Sequence, residues 1–433
     1  MSIFSNIKII YILILFFPVA LVTGPFLPDL IISISSIYFI LFLLINKNLN
    51  YLNNDFVKIF FVFYLFIVIR SFFTDEILFS LKNTLFYIRF LLFAMMLKYL
   101  LSKVSEFRKI FPIVFIFTLG LLSIDALIEY QRNTHWLFDK SSYPENDNNR
   151  ISGLFDEEYI LGGFILSFFP TILIIYFFQN QKKKFLKLTI ILLTILFSYI
   201  VIITGERASF IKLLFLIFSI ILFTSIIKTL KKKIIIITSI LISIFLIISS
   251  QPKLTERLIY HSADLFLQNE FEDRIDRNIP LLQTLKEEYK KGNVKFTYYS
   301  KEHTDHAIIS LKMFDNKKLF GHGVKMFRFR CGEKQYYINP RSCSTHSHGV
   351  ALTFLSEIGL MGFAFLLLTY IYLTKQILKS TRNFNIDKVI LISILIYLFP
   401  LLPSGYFFNN FFSMILFTLI GFYLGYKKSF IKS

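Results

Sequence analysis

The sequence predicts an all-α polytopic membrane protein with about twelve transmembrane helices and one large late loop. Composition is the first ground: 55% of the 433 residues are hydrophobic and only 17% are charged. The second is uninterrupted apolar sequence, as in residues 9–22 (IIYILILFFPVALV) and 234–248 (IIIITSILISIFLII). A water-soluble helix shows one apolar stripe, whereas these segments are apolar all round and near the length that crosses a hydrocarbon layer. The third is the placement of charge. A formal net charge of +19 would suit nucleic acid, but most lysines occupy short links between apolar runs. That pattern points to a lipid bilayer and away from a nucleic-acid partner. The 54 Phe and 23 Tyr fit helices packed against lipid, with Tyr near the headgroups.

Taken in order, spans are expected near 8–23, 28–46, 56–73, 78–98, 110–128, 159–178, 187–204, 210–228, 233–250, 350–373, 388–404 and 408–425. Gly24-Pro25-Phe26-Leu27-Pro28 joins the first two as a tight turn, and Leu402-Pro403-Ser404-Gly405 joins the last two. No small-residue cleavage site marks the first apolar run, so it reads as a retained anchor. Basic residues gather in alternate links: Lys98, Lys103, Arg108 and Lys109; Lys182, Lys183, Lys184 and Lys187; Lys228, Lys231, Lys232 and Lys233; Lys375, Lys379, Arg382 and Lys388. Lys427, Lys428 and Lys432 follow in the tail. All fall on one side if the number of spans is even and both termini are cytoplasmic, as in a bacterial inner membrane.

Residues 1–250 then form a membrane domain of nine spans with a smaller periplasmic loop near 129–158. Residues 251–348 form the large late periplasmic loop, and 349–433 a membrane domain of three spans. Within the large loop, Ile308, Leu311 and Phe314 give Asp305–Phe320 helical spacing, stopped by Gly321-His322-Gly323. Phe271–Ser300 is polar and reads as loop or surface helix. Cys331 and Cys343 are the only cysteines; in an oxidising exterior they can close a short loop by a disulfide, contributing about 3 kcal/mol. Two unrelated thiols, or metal binding with His346 and His348, are the other readings, though the spacing matches no familiar zinc pattern. No metal and no cofactor is expected.

Charge within or beside spans is the sharpest local signal, because an unpaired charge in hydrocarbon costs several kcal/mol. Arg89 lies in the middle of the fourth span, Arg70 near the outer end of the third, and Arg207 opens the eighth. These three can converge on a phosphate-rich ligand, where the guanidinium fork gives directional bonds to oxygen. Structural pairing is the alternative: Arg89 with Asp125, or Glu206 with Arg207. His346 and His348 stand at the outer mouth of the tenth span, where an imidazole can take a proton near neutral pH. Glu357, nine residues beyond His348, falls on the opposite face of a regular helix.

His348, nine variable positions after Gly349, and then Gly359 and Gly362 follow the spacing of a recurring motif, as does Arg207 followed by Ile211. Arg150-Ile151-Ser152-Gly153-Leu154-Phe155 with Leu161-Gly162, and Leu319-Phe320-Gly321-His322-Gly323 with Phe327-Arg328, are further elements of the same kind. On these residues the chain resembles the O-antigen ligase and polymerase superfamily over roughly residues 120–370. Gly349 stands where the ligase branch has Asn, Ser or Gln, and Ile211 where it has leucine. The resemblance implies a membrane glycosyltransferase acting on an undecaprenyl-pyrophosphate-linked glycan at the periplasmic face, with lipid A-core or a growing glycan as acceptor. It implies His348 as the base for the acceptor hydroxyl and Arg207 as the holder of pyrophosphate, with Arg89 and Arg70 able to share that role. Ligation is the expected outcome, with polymerisation or protein O-glycosylation as alternatives. A transporter is the competing class, which an internal repeat would favour; none is visible.

Overall fold

The computed structural model describes residues 3–47, 49–132, 134–137, 150–180, 185–224, 229–260, 299–340, 342–379 and 386–426. Most of Phe271–Ser300 therefore lies outside the described residues, as do Lys182, Lys183, Lys184, Lys228, Arg382, Lys427, Lys428 and Lys432. Among the described residues the structure is helical, with no strand.

Each apolar run forms helix, since a buried or lipid-facing backbone must satisfy its own N–H and C=O groups. The helices are α1 (Ile3–Ala20), α2 (Phe26–Asn46), α3 (Asp55–Ser71), α4 (Ile77–Leu85), α5 (Ile88–Lys103), α6 (Ser105–Arg132), α7 (Leu161–Gln179), α8 (Leu186–Ile203), α9 (Arg207–Phe223) and α10 (Leu230–Ser249). In the late part come α11 (Lys301–Asn316), α12 (Gly359–Lys379), α13 (Ile386–Tyr397) and α14 (Asn410–Tyr426). A helix thus occupies every segment expected to span. Among the described residues, seven helical stretches are long and apolar enough to cross a membrane: Phe26–Asn46, Ile77–Lys103, Ser105–Arg132, Leu161–Gln179, Leu186–Ile203, Leu230–Ser249 and Val350–Lys379. The apolar part of α1, Lys8–Ala20, is shorter, as are α3, α9 and α14 with 17 residues each and α13 with 12.

Several boundaries differ from the expected ones for visible reasons. The fourth span is broken at Phe86–Tyr87, so Arg89 sits in the first turn of α5 rather than mid-helix. α13 stops at Tyr397, ahead of Pro400 and Pro403, which cannot donate to a helical ladder. α11 starts at Lys301, where the Ser300 hydroxyl accepts from the His303 N–H at 3.2 Å, and ends at Asn316, before Gly321. α6 runs on to Arg132, so Glu129 belongs to the helix rather than to the loop after it.

The centre of the bundle is α14, buried along nearly its whole length against α5. Gly421 and Gly425 make this possible, since a Cβ on either would stand within 2.8 Å of Leu97 or Leu101. Small residues let two backbones approach in this way, and dispersion contacts then hold the pair. α7 packs against α6, α8 and α13, and α1 and α2 close the other side against α6 and α5. α10 is the opposite case: only 6% of its apolar window is buried, leaving Ile234, Ile235, Leu241, Ile242, Phe245 and Leu246 exposed. Such a surface is untenable in water and ordinary in lipid.

The approach to α12 carries the site. Val350–Thr353 leads into a wide turn at Phe354–Ile358 before Gly359 resets the chain with φ +68°. α11 rests on this turn. The strand of loop before it is tied by Gly323 N–H to the Glu357 carbonyl at 2.6 Å and by Leu360 N–H to the Lys318 carbonyl at 2.8 Å. Cys331 and Cys343 are joined by a disulfide with their Cα atoms 5.2 Å apart, as one of the three readings expected.

Candidate functional site

A cavity of about 2060 Å³ opens among the loops and extends between α1, α6, α7, α13 and α14. Its inner part is lined by apolar side chains such as Val19, Leu122, Leu166 and Ile415. Its loop end is strongly charged. Lys82, Arg89, Arg150, Arg207, Lys212, Arg257, Lys325 and Arg328 line it, against the carboxylates of Asp29, Asp156, Glu158, Glu206 and Glu302. The excess of cations in a confined space raises the local potential and favours an anionic ligand.

The sequence motifs assemble the wall. Glu206 turns its carboxylate onto the first N–H groups of α7, accepting from Gly162 at 2.6 Å and Gly163 at 3.0 Å, and from the Ser209 hydroxyl at 2.6 Å. A carboxylate at a helix N-terminus satisfies donors that have no intrahelical partner. Burial pushes the Glu206 carboxyl up, while Ser209, Arg150 and the two glycine N–H groups pull it back. A Cβ at Gly162 would meet the Thr204 hydroxyl at 2.6 Å, so glycine is required for this approach. The Ile151 N–H reaches the Thr204 carbonyl at 3.2 Å, and the Gly153 N–H reaches Glu129 at 2.8 Å. The segment from Arg150 is thereby laid across the turn that presents Arg207.

Arg207 heads α9 and places its guanidinium 4.7 Å over the ring of Tyr299. The Tyr299 ring lies 5.3 Å from His303, and His303 lies 5.5 Å from His348. Arg207 and His348 therefore share one cavity wall, with Tyr299 and His303 between them. His348 itself has φ +52°, a left-handed conformation uncommon for a residue with a Cβ. Gly349, by contrast, is extended and stands at the start of Val350–Thr353 without a side-chain cap.

His348 is one of four imidazoles gathered here. Its ring centroid is 3.9 Å from His346 and 4.9 Å from His306, which stacks on it. The His303 Nδ1 meets the Ser300 hydroxyl at 2.6 Å, and the His346 Nδ1 meets Thr345 at 2.9 Å. His306 is buried with neither ring nitrogen hydrogen-bonded among the described residues. Burial disfavours protonation of all four, and like-charge neighbours add to it at His303, His346 and His348. Burial, then His306, lowers His348 to about 4; burial, then His348, lowers His303 and His346 each to about 3. His303 and His306 are one helical turn apart on α11, a spacing visible in the sequence, but their meeting with His346 and His348 is a tertiary fact.

The other arginines separate. Arg89 lines the cavity and pairs with Asp29 at 2.7 Å, not with Asp125. Asp125 is engaged elsewhere: the Trp136 indole N–H donates to it at 2.7 Å and His135 Nε2 lies 3.3 Å away. Arg70 is outside the cavity lining. Its guanidinium donates to the carbonyls of Phe320, Phe73 and Gly321 at 3.0, 2.6 and 2.7 Å, which ties the end of α3 to the loop before α12. All three guanidinium nitrogens thus donate to backbone. Glu357, wholly buried, accepts from the Tyr406 hydroxyl and from the Lys325 and Phe327 N–H groups at 2.5, 2.9 and 3.2 Å, and has no contact with His348.

The fold and the site define a helical membrane protein whose cationic cavity is edged by a histidine cluster. No family model matches the chain, and no curated protein matches it.

Proposed function

We propose that this chain transfers a glycan from undecaprenyl pyrophosphate to a sugar hydroxyl at the periplasmic face of a bacterial inner membrane, through twelve spans with both termini cytoplasmic. The observation that carries the reading is that Arg207 and His348 line one cavity. His348 takes the proton of the acceptor hydroxyl, and the oxygen attacks the anomeric carbon. The bond from that carbon to the pyrophosphate breaks, and its electron pair leaves with undecaprenyl pyrophosphate. Arg207, with Arg150 beside it, neutralises the leaving charge. The apolar inner part of the cavity suits a polyprenyl chain, and no nucleotide site is needed when the donor is lipid-linked. Ligation to an acceptor such as lipid A-core is the leading outcome. Gly349 and Ile211, where the ligase branch has other residues, favour polymerisation as the second.

The test is transfer by the reconstituted protein, with lipid-linked glycan and candidate acceptors resolved by mass. One acceptor modified once per donor block indicates ligation; growth of the lipid-linked glycan indicates polymerisation. His348→Ala should lose about 10²–10⁴-fold in rate while remaining folded. Arg207→Lys should keep charge but lose the two-pronged phosphate geometry, impairing donor use more than folding. His346→Ala is the comparison: near-normal transfer by His348→Ala, or an equal collapse with His346→Ala alone, would remove His348 from the role of base.

A further inference from the structure

Two cationic sets flank the histidines, and the proposed function uses one of them for the donor. Arg207 and Arg150 lie on the His303 side, where both act on that ring. Lys325 and Arg328 lie on the other side: Arg328 acts on His346, and the Tyr406 ring, whose hydroxyl accepts from the Lys325 N–H at 2.9 Å, is 5.6 Å from His346. Both line the cavity. Neither forms an ion pair among the described residues.

Lys325 is held there against its own preference. Its φ is +64°, a conformation costly for a residue with a Cβ, and its N–H is fixed by Glu357 and Tyr406. The buried carboxylate of Glu357 spends its hydrogen bonds on backbone N–H groups and the Tyr406 hydroxyl, and meets the ammonium only through its charge. Burial, then the like charge of Arg328, lowers the Lys325 pKa; Glu357 pulls it back up and Arg89 adds a smaller push down. A half-buried ammonium in that field is stabilised by an anion.

We infer that Lys325 and Arg328 bind an anionic substituent, carboxylate or phosphate, on the acceptor sugar, so that the acceptor is an acidic or phosphorylated glycan. The inference rests on the transfer reading above for the word acceptor: with pyrophosphate against Arg207, the hydroxyl reaches His348 from the Lys325 side.

The experiment uses the full chain in lipid nanodiscs and three labelled disaccharides ending in glucuronate, glucose 6-phosphate or glucose. Binding is measured without donor, so no turnover is required. The wild type should bind at least one charged probe about 10–100-fold more tightly than the neutral one, the range for hydrogen bonds to charged groups. Preference for one charged probe over the other identifies the substituent. Lys325→Asn with Arg328→Gln should bring the charged probe to the level of the neutral one; Asn tolerates a positive φ, so the turn is kept. Lys325→Arg with Arg328→Lys should retain most of the preference, which separates charge from misfolding. Equal binding of all three probes by the wild type overturns the inference. So does loss of affinity for undecaprenyl pyrophosphate in the Asn/Gln variant with the probe preference intact, because the cations would then belong to the donor. Selective binding of a charged probe without any glycan transfer would instead defeat the transfer reading and leave this site standing.

Discussion

At the scale of residues, the histidine cluster makes a prediction with a sign. An ordinary imidazole loses its basic form near pH 6.5, but His348 is held to about 4 and His303 and His346 to about 3. The neutral base therefore persists as pH falls below 6.5, and kcat/KM should hold to about pH 5 before dropping toward 4. On the proposed function, bound pyrophosphate would add negative charge near the rings and favour protonation, so the apparent pKa in kcat should lie above that in kcat/KM. A midpoint at 6.5 in both profiles would contradict the cluster as described. Stability follows the same groups. The unfolded chain binds protons that the folded cluster refuses, so this contribution is complete above pH 6.5 and is lost as pH falls toward the folded values. Only part of this was legible in sequence. His348 and Arg207 were marked by motif spacing, and the structure brings both to one cavity. The Asp29 partner of Arg89 lies 60 residues away, and Arg70 bonds to carbonyls some 250 residues on. No local pattern encodes such meetings.

At the scale of elements, the glycine pair explains why two distant motifs occur together. Gly321 and Gly359 face each other with φ of +63° and +68°. A Cβ on Gly359 would stand 2.5 Å from the Gly321 N–H nitrogen, and one on Gly321 would stand 2.4 Å from the Glu357 carbonyl carbon. Both clashes are with backbone, which cannot rotate away. Gly359→Ala should cost more than about 1 kcal/mol, read as a lower melting temperature of the purified protein, because strain and clash add. Gly120→Ala, mid-helix with nothing within 4 Å, should be neutral or mildly stabilising. If both variants melt alike, the close approach of the two turns is not what the glycines serve. Apolar helices were readable from sequence because lipid removes the need for periodicity. The break at Phe86–Tyr87 and the wide turn at Phe354–Ile358 were not, since both depend on what packs beside them.

At the scale of the molecule, the exposed apolar face of α10 and the buried α14 describe a bundle with lipid outside and protein contacts at its centre. The alternating basic links support the proposed orientation. A reporter fused after Ser433 should signal from the cytoplasm; a signal from the other side would invert the proposed topology and with it the compartment of the cavity. That compartment has a consequence for biogenesis. The Cys331–Cys343 bond closes the short stretch between Arg328 and His346, two groups that line the same cavity. On the proposed topology these thiols meet an oxidant only after the loop has been translocated. The chain would then leave the ribosome with its reactive edge unfinished, and maturation would be timed by export. A precursor stalled on the inner side would keep its histidines and cations without the bond that closes this loop, and the proposed reaction would be confined by chemistry as well as by geography.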